Sequence, residues 1–299
     1  MLFQSLFVES KFPHKLHLMH ISQTGHESTP VVLMVHGMVE DGRIFYHKSG
    51  KGLVCFLVGQ GYQVFVLDLR GMGLSTPKVS AASDHGQTET ITEDIPLVMD
   101  YILEKTGQAR LHIAAHSWGG VNVNALLLRY SERVKQVASC VYFGSKRTVR
   151  VRNFDRYLKI DLVWKHLSTR IAERKGYLPA VKYKIGSQNE TLKAHRQCVE
   201  WVSRSSWIDS DDGFNYGAAS QTNSLPPTLY FAAIKDFSLG HRHDVKRFMA
   251  ESGLGVKQYQ LLGRKMGNRL DYDHINMLTA PECSKDHFPN VVQWFAKYL

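Results

Sequence analysis

The chain has 299 residues, of which 43% are hydrophobic and 21% charged, and its formal net charge is +10 at pH 7. These proportions are those of a folded globular protein, and they exclude an intrinsically disordered or collagen-like chain. No apolar run approaches the ~20 residues that a membrane-spanning helix needs, and the N-terminus lacks the basic start of a secretory signal. We therefore expect a cytoplasmic protein without a transmembrane segment.

The positive charge is concentrated in one part of the sequence. Residues 146–205 contain fifteen Lys and Arg against five Asp and Glu, which accounts for the whole net charge. A uniform basic coat would suggest general affinity for nucleic acid, whereas a local one suggests a specialised segment. Since no RNA- or DNA-binding motif occurs, we expect no nucleic-acid partner.

Strand-like and helix-like stretches alternate along the first half of the chain. One or two antiparallel strands are expected before residue 31, and four apolar runs then predict buried strands. These runs are Val31–Val35, Tyr62–Leu67, Arg110–Ala115 and Gln136–Phe143. Helices are predicted between them, over 52–60, 90–105 and 119–130, and Pro96 marks either a bend in the second helix or its true start. The alternation is typical of an α/β fold with a mostly parallel sheet covered by helices on both faces.

The alternation stops near Ser145, where the chain becomes basic, aromatic and helical in pattern. Two further strands and a closing helix follow later, and are predicted over 227–234, 256–262 and 285–298. We therefore expect a core formed by residues 1–145 and 223–299. Residues 146–222, here named the cap segment, are predicted to be an inserted helical cap.

The segment Ala115-His116-Ser117-Trp118-Gly119-Gly120 follows a predicted strand and opens a predicted helix. A serine in such a sharp turn, with small residues around it, is typical of a nucleophile elbow. The usual glycine two residues before the serine is replaced by Ala115, which predicts a somewhat more strained turn. Ser117 is therefore the candidate nucleophile.

A serine hydroxyl needs a base that takes its proton. Asp236 ends a predicted strand and His274 follows the last predicted strand. The chain order serine, acid, histidine is the one expected after such an elbow. Ser117, Asp236 and His274 are therefore predicted to form a catalytic triad, with Asp244 as the alternative acid and His287 as the alternative base.

Acyl transfer also needs hydrogen-bond donors for the developing oxyanion. We expect one from the backbone N–H of Trp118, at the start of the helix after the nucleophile. The second is expected from the N–H of Met38, in the turn that follows His36-Gly37.

Two further patterns argue against metal chemistry. The four cysteines form no CxxC pair, and the cluster His241-Arg242-His243-Asp244 offers only two or three ligands. A structural zinc site needs four ligands. We therefore predict no metal site.

Together these segments resemble the α/β-hydrolase superfamily, and more narrowly its lipase- and lysophospholipase-like esterases. The matching residues are His36-Gly37, Asp68 to Ser75, His116 to Gly120, Asp236 and His274. The resemblance implies an α/β-hydrolase fold with a cap, no cofactor, and hydrolysis of lipid-like or acyl-chain esters through an acyl-enzyme. A serine nucleophile argues against the dehalogenase and epoxide-hydrolase branches. The hallmark segment 68–75 is expected to pin a loop by hydrogen bonds through Asp68 and Arg70.

The cap segment is expected to wall the site and to select the substrate. Trp164, Trp201 and Trp207 are candidate substrate-binding residues, with packing inside the cap as the alternative. The cations of the cap suggest an anionic substrate or weak contact with anionic lipid, and a solvated surface is the alternative.

Other functions stay open on the sequence. A thioesterase or acyltransferase for acyl-CoA would use the basic cap to bind phosphates, and a small peptidase would use the same triad. A catalytically silent binding protein on a hydrolase scaffold is supported by Ala115 alone. The presence of all three triad residues favours an esterase.

Overall fold

The structure is a computed structural model that describes residues 1–9, 14–25, 29–47 and 49–299. The strands, numbered in chain order, are β1 Leu2–Glu9, β2 Lys15–Ser22, β3 Val31–Val35, β4 Gln63–Leu67, β5 Leu111–His116, β6 Val137–Phe143, β7 Tyr177–Leu178, β8 Glu190–Thr191, β9 Thr228–Ala233 and β10 Lys257–Leu262. Eight of them form one sheet in the order β1-β2-β4-β3-β5-β6-β9-β10, while β7 pairs with β8.

The prediction of a mostly parallel sheet with leading antiparallel strands is confirmed. The six strands from β4 to β10 along the sheet are parallel, and β1 and β2 run antiparallel at one edge. Every residue of the five central strands β3, β4, β5, β6 and β9 is buried. Because helices cover both faces of these strands, their sequences are continuous apolar runs rather than alternating ones.

The helices flank the sheet and connect its strands. They are α1 Leu53–Gly59, α2 Gln87–Glu89, α3 Ile95–Thr106, α4 Trp118–Arg129, α5 Phe154–Arg156, α6 Thr169–Lys175, α7 Leu192–Ser203, α8 Tyr216–Thr222, α9 Arg242–Glu251, α10 Asn276–Thr279 and α11 Phe288–Lys297. Two π-helical stretches, Thr90–Asp94 and Tyr157–Ser168, join α2 to α3 and α5 to α6. Short 3-10 turns lie at Gly42–Ile44, Ser131–Gln136, Arg264–Met266 and Pro281–Lys285. In the part of the chain that the structure describes, no helix has the length and apolar character to cross a membrane.

The helix predicted to start at residue 90 begins three residues earlier, so that prediction of its start was wrong. The backbone N–H of Gly86 donates to Glu89 Oε2 at 2.6 Å, which satisfies a free donor at the helix start. Thr90 instead lies inside the helix, where its hydroxyl donates to the Gly86 carbonyl at 3.1 Å.

Two buried apolar clusters pack on the sheet. One includes side chains from α3 and α4, such as Val98 and Leu126, and the other includes side chains from α1 and α11, such as Leu57 and Phe295. Each buried Leu or Phe of this kind contributes about 1.5–3 kcal/mol to folding. The sheet is therefore held rigidly between two layers, and its strand ends become fixed positions for side chains.

The loop after β4 is pinned as expected. Asp68 accepts hydrogen bonds from the backbone N–H groups of Gly42 and Leu74, at 2.9 and 2.8 Å. The Arg70 guanidinium pairs with Asp94 at 2.5 Å inside the protein. These bonds hold the loops beside β3 and β4 in place without contributing a reactive group.

The cap segment packs in two unequal halves. From α7 onward it shares the large buried cluster of α3 and α4, to which Trp201, Trp207 and Tyr216 belong. The outer helical stretch 154–175 buries only Ile160, Ser168 and Ala172. The outer half is therefore held by far less apolar burial than the inner half.

Candidate active site

Ser117 lies between β5 and α4, in a backbone conformation that few residues adopt. Its φ is +50° and its ψ is −120°. A positive φ is sterically costly for a residue with a side chain, and it marks the sharp strand-to-helix turn of an elbow. The Ser117 N–H donates to the Phe143 carbonyl at 2.8 Å, which anchors the turn to β6.

The glycines of the motif are needed for close approach. A Cβ atom on Gly119 would overlap the carbonyl oxygens of Val35 and His36, and one on Gly37 would lie 2.9 Å from Ser117 Cβ. Ala115 is fully buried in β5, where it pairs with Val35 and Tyr142. Its single methyl group is accommodated within a regular strand.

The structure brings Ser117, His274 and Asp236 into one hydrogen-bonded chain. His274 Nε2 lies 3.0 Å from Ser117 Oγ, and His274 Nδ1 lies 2.5 Å from Asp236 Oδ2. The other carboxylate oxygen of Asp236 accepts the N–H of Leu239 at 2.9 Å. Asp236 and His274 follow β9 and β10, so three strand ends converge on this point.

The alternative acid and base lie elsewhere. Asp244 accepts the backbone N–H groups of Arg150 and Val151, at 2.9 and 3.3 Å, and so fastens the start of the cap segment to α9. His287 is buried before α11, and its Nε2 bonds to the Met277 carbonyl at 2.7 Å. The pKa of His287 falls to about 4 because the ring is buried.

Burial controls the protonation of the His274–Asp236 pair. It lowers the pKa of His274, while the charge and hydrogen bond of Asp236 oppose this shift and His116 and Lys146 add to it. Burial alone would raise the pKa of Asp236, but His274 brings it below its ordinary value. The arrangement therefore presents a neutral imidazole, able to accept a proton, next to an ionised carboxylate.

The backbone around Met38 and Trp118 borders the same space. Both residues line the cavity in front of Ser117. Trp118 is the first residue of α4, so its N–H has no partner within that helix. Among the described hydrogen bonds none uses the N–H of Met38. The next residue, Val39, has φ +52°, and its carbonyl accepts the N–H of Ser187 at 2.8 Å. A loop of the cap segment thus holds this strained turn.

Comparisons with known proteins agree with this architecture. The family profile described as alpha/beta hydrolase fold matches residues 30–145 and ends where the cap segment begins. The carboxylesterase CesB (YbfK) from Bacillus subtilis superposes over 100% of this chain and 93% of its own, with a TM-score of 0.60 and 16% identity.

The protein has the α/β-hydrolase fold.

Curated relatives match this chain over short stretches. Lipase member N from Homo sapiens is 32% identical over 107 residues, which are 33% of this chain and 26% of the lipase. Sterol esterase 2 from Saccharomyces cerevisiae is 26% identical over 95 residues, which are 29% of this chain and 18% of the esterase. The chain thus covers about a quarter or less of the length of these two relatives.

A buried Glu40–His116 pair lies behind the predicted triad, and sequence reasoning missed it. His116 Nδ1 lies 2.7 Å from Glu40 Oε1, and its Nε2 donates to the carbonyl oxygen of His274 at 3.0 Å. Glu40 also accepts the N–H of Gly37 at 2.5 Å. Glu40 therefore holds the turn before Met38 directly and the loop of His274 through His116. The sequence shows a carboxylate three residues after Gly37 and a histidine within the elbow motif, but it does not show that the two meet.

The pKa values of this pair shift toward the charged forms. Burial opposes charge on both groups, but their mutual attraction outweighs it. The pKa of Glu40 is therefore lowered and that of His116 is raised. Both shifts favour the charged forms of this pair, which lies directly behind Ser117 and His274.

A cavity of about 920 Å³ opens in front of Ser117, His274 and Trp118. The core supplies one wall and the cap segment supplies the other. Trp164, a predicted substrate-binding residue, lies in this wall. Trp201 and Trp207, predicted for the same role, do not line the cavity in the described part of the chain. They are buried against Tyr216 and the main cluster, which agrees with the alternative of packing inside the cap.

Lys146, which sequence reasoning also missed as a site residue, lies in this wall. Lys146, near the end of β6, is 7% exposed and borders the same cavity as Ser117. Its position at the first residue of the cap segment was visible in the sequence. Its burial was not, because lysines are mostly exposed. In the part of the chain that the structure describes, no group of three or more His, Cys, Asp or Glu is arranged to hold a metal ion.

Proposed function

We propose that this α/β hydrolase cleaves carboxylic esters, with Ser117, His274 and Asp236 as its catalytic triad. The observation that carries the proposal is the continuous chain from Asp236 Oδ2 through both ring nitrogens of His274 to Ser117 Oγ, with lengths of 2.5 and 3.0 Å. The relatives named as a lipase and a sterol esterase support the same reaction class.

In the proposed mechanism Ser117 Oγ attacks the ester carbonyl carbon. His274 Nε2 takes the hydroxyl proton as the new C–O bond forms. Asp236 keeps the other ring proton on Nδ1 and stabilises the imidazolium that results. The neutral resting state of His274, which its lowered pKa supports, is the form that this step requires.

The negative charge then develops on the former carbonyl oxygen. The N–H groups of Met38 and Trp118 are proposed to donate to it, and one such donor is worth about 10²–10³-fold in kcat. His274 next protonates the leaving alcohol oxygen, and the C–O bond of the ester breaks to give the acyl-enzyme. A water molecule, deprotonated by His274, attacks the acyl carbon and releases the acid and free Ser117.

The cavity wall supports an acyl chain as part of the substrate. A largely apolar wall with a few polar groups is what binds and orients an acyl group. The apolar side chains of the wall include Ile44, Ile160, Val163, Trp164, Ile185, Val202 and Leu239. Since most of them belong to residues 146–222, we propose that the cap segment acts as a substrate-selecting cap.

Hydrolysis of 4-nitrophenyl esters from acetate to palmitate tests the proposal. Wild type is compared with Ser117→Ala and with Ser131→Ala, an exposed serine that serves as the matched control. We expect wild type and Ser131→Ala to cleave the esters and to react with a fluorophosphonate, and Ser117→Ala to do neither. A folded wild type that neither cleaves nor becomes labelled would overturn the triad and favour the silent binding protein.

Labelling without ester cleavage would point to a different leaving group. A thioesterase or acyltransferase for acyl-CoA and a small peptidase would then be the functions to test. A fall in KM for acyl-CoA at low ionic strength would favour the CoA-dependent functions, because phosphate contacts are screened by salt.

The outer helix of the cap segment carries a second proposal, weak contact with an anionic lipid surface. Phe154, Leu158 and Leu162 are spaced by four residues and are 80%, 42% and 48% exposed. An exposed apolar row within a basic segment is typical of an interfacial helix. We expect the protein to sediment with phosphatidylcholine–phosphatidylserine vesicles but less with phosphatidylcholine alone. A double change to Glu at Leu158 and Leu162 should abolish sedimentation, while Leu254→Glu, exposed elsewhere, should not.

A further inference from the structure

Lys146 places a cation inside the cavity rather than on the surface. The residue follows β6 by three positions and is 7% exposed. Its Nζ lies 5.5 Å from the centre of the Trp118 ring, and both side chains line the cavity beside Ser117. A ligand positioned for attack by Ser117 therefore lies in the same enclosed space as this ammonium group.

This ammonium group has no ionic partner in the described residues. No hydrogen bond or ion pair of the described chain reaches Lys146 Nζ, whereas the two acids of the cavity wall are both engaged. Glu40 pairs with His116 at 2.7 Å, and Asp41 pairs with Arg43, also at 2.7 Å. The nearest carboxylates that influence Lys146 electrostatically, Asp236 and Asp244, are bonded to other groups.

A buried charge without a partner is costly, and the cost is removed when an opposite charge binds. We propose that Lys146 binds a free carboxylate of the substrate, so that the preferred ester carries one anionic group in addition to the ester that Ser117 attacks. The proposal rests on the esterase function proposed above, which it narrows to monoanionic substrates.

The charge count favours a carboxylate over a phosphate. One lysine neutralises one carboxylate completely, while a phosphate dianion would keep excess charge in a poorly hydrated space. Two other lysines line the cavity: Lys159 already pairs with Asp155 at 2.9 Å, and Lys184 is exposed to solvent rather than buried. Burial lowers the pKa of Lys146, and a bound carboxylate would favour its charged form.

Matched ester pairs test this directly. The 4-nitrophenyl monoesters of adipic, suberic and sebacic acid are compared with 4-nitrophenyl hexanoate, octanoate and decanoate, which lack the terminal carboxylate. The pair 4-carboxyphenyl and 4-carbamoylphenyl hexanoate moves the carboxylate to the leaving group. We expect wild type to prefer the anionic member of at least one pair, and the chain length with the largest preference measures the reach from Ser117 to Lys146.

The variant Lys146→Met removes the charge and keeps the bulk of the side chain. We expect it to lower the anionic-to-neutral ratio of kcat/KM by about 10- to 100-fold, the range for a hydrogen bond to a charged group. Lys146→Arg should keep part of the ratio, and Lys159→Met should keep all of it. A wild type without preference for anionic esters, or an unchanged ratio in Lys146→Met, would overturn the proposal.

A binding measurement separates this proposal from the esterase function. Monomethyl suberate, with one carboxylate, and dimethyl suberate, with none, are titrated calorimetrically into Ser117→Ala and into Ser117→Ala with Lys146→Met. We expect only the monoester to bind more tightly when Lys146 is present, even if wild type hydrolyses no ester. Equal binding of the two suberates to Ser117→Ala would refute the carboxylate site alone. Melting temperatures of all variants confirm that they are folded.

Discussion

The core and the cap segment border the same cavity but contribute different things to it. The three side chains of the proposed triad all follow core strands, and hydrogen bonds of 2.5–3.0 Å fix each of them. The cap segment contributes Lys146, with which no described residue forms an ion pair, two aromatic wall residues, Trp164 and Tyr183, and a weakly buried outer helix. In the proposed mechanism, the reaction chemistry thus depends on the rigid sheet, while substrate selectivity depends on a segment with fewer constraints.

The largest expected effect separates the two candidate acids. Asp236→Asn keeps the shape of the side chain but disturbs the tautomer of His274, and we expect kcat to fall by about 10⁴-fold. Asp244→Asn affects the attachment of the cap segment to α9 and should leave kcat close to that of wild type. Steady-state kinetics on one 4-nitrophenyl ester checks both. A greater loss in Asp244→Asn than in Asp236→Asn would reverse the assignment.

The next comparison sets a buried core ion pair against an exposed cap pair. Glu40→Gln leaves the His116 imidazole buried without its partner, and we expect the free energy of unfolding to fall by about 3–5 kcal/mol. Glu173 pairs with Arg196 on the surface of the cap segment, and Glu173→Gln should cost about 0–1 kcal/mol. Urea unfolding measures both values, and similar losses would contradict the difference between the two regions.

The Glu40–His116 pair stabilises the fold over a limited pH range. The lowered pKa of Glu40 gives stability that is lost as pH falls through that pKa. The raised pKa of His116 gives stability that is lost as pH rises through it. The difference in unfolding free energy between wild type and Glu40→Gln should therefore be largest between the two pKa values and shrink on both sides.

A tryptophan pair tests the two halves of the cap segment. Trp207 is buried in the main cluster, and Trp207→Ala should destabilise the protein by about 3–5 kcal/mol. Trp164 lines the cavity and is less buried, so Trp164→Ala should destabilise less and shift the chain-length optimum of ester hydrolysis. Thermal unfolding and the 4-nitrophenyl ester series check the two outcomes. A shifted optimum in Trp207→Ala alone would contradict them.

The smallest expected effect is in the pH dependence of kcat/KM. Because burial lowers the pKa of His274 below 6.5, kcat/KM for a neutral ester should hold at pH 6.5 and decline at lower pH, as His274 becomes protonated. The charges of His116 and Lys146 add to this shift, and Asp236 opposes it. Lys146→Met should therefore move the decline to higher pH. Lys159→Met is the control, and an equal movement in it would contradict a specific influence of Lys146.

The sequence was sufficient to predict the elements that depend on local pattern and chain order. The buried strands are visible as apolar runs, and the elbow is visible because only small residues permit the approach of Gly119 to β3. What it missed depends on tertiary contact. At the start of the helix, the Gln87 N–H donates to Gln197 Oε1 at 2.7 Å, from 110 positions away. The burial of Trp201 likewise depends on which face of α7 meets the core.

Dependence on tertiary contact also explains why sequence reasoning missed three polar residues. Glu40 and His116 are 76 positions apart, and nothing in either local sequence indicates that they meet. Lys146 is one of fifteen cations in residues 146–205. Its local sequence gives no sign that, unlike a typical surface lysine, it is enclosed by the cavity wall.

The unequal packing of the cap segment also bears on motion. The inner half is tied to the main cluster through Trp201 and Trp207, so it cannot swing outward as one body without exposing core side chains to water. The stretch 154–175 has little buried surface to lose, and segments of this kind open at low free energy on their own. We therefore expect access to Ser117 to vary with local fraying of this stretch rather than with movement of the whole cap segment.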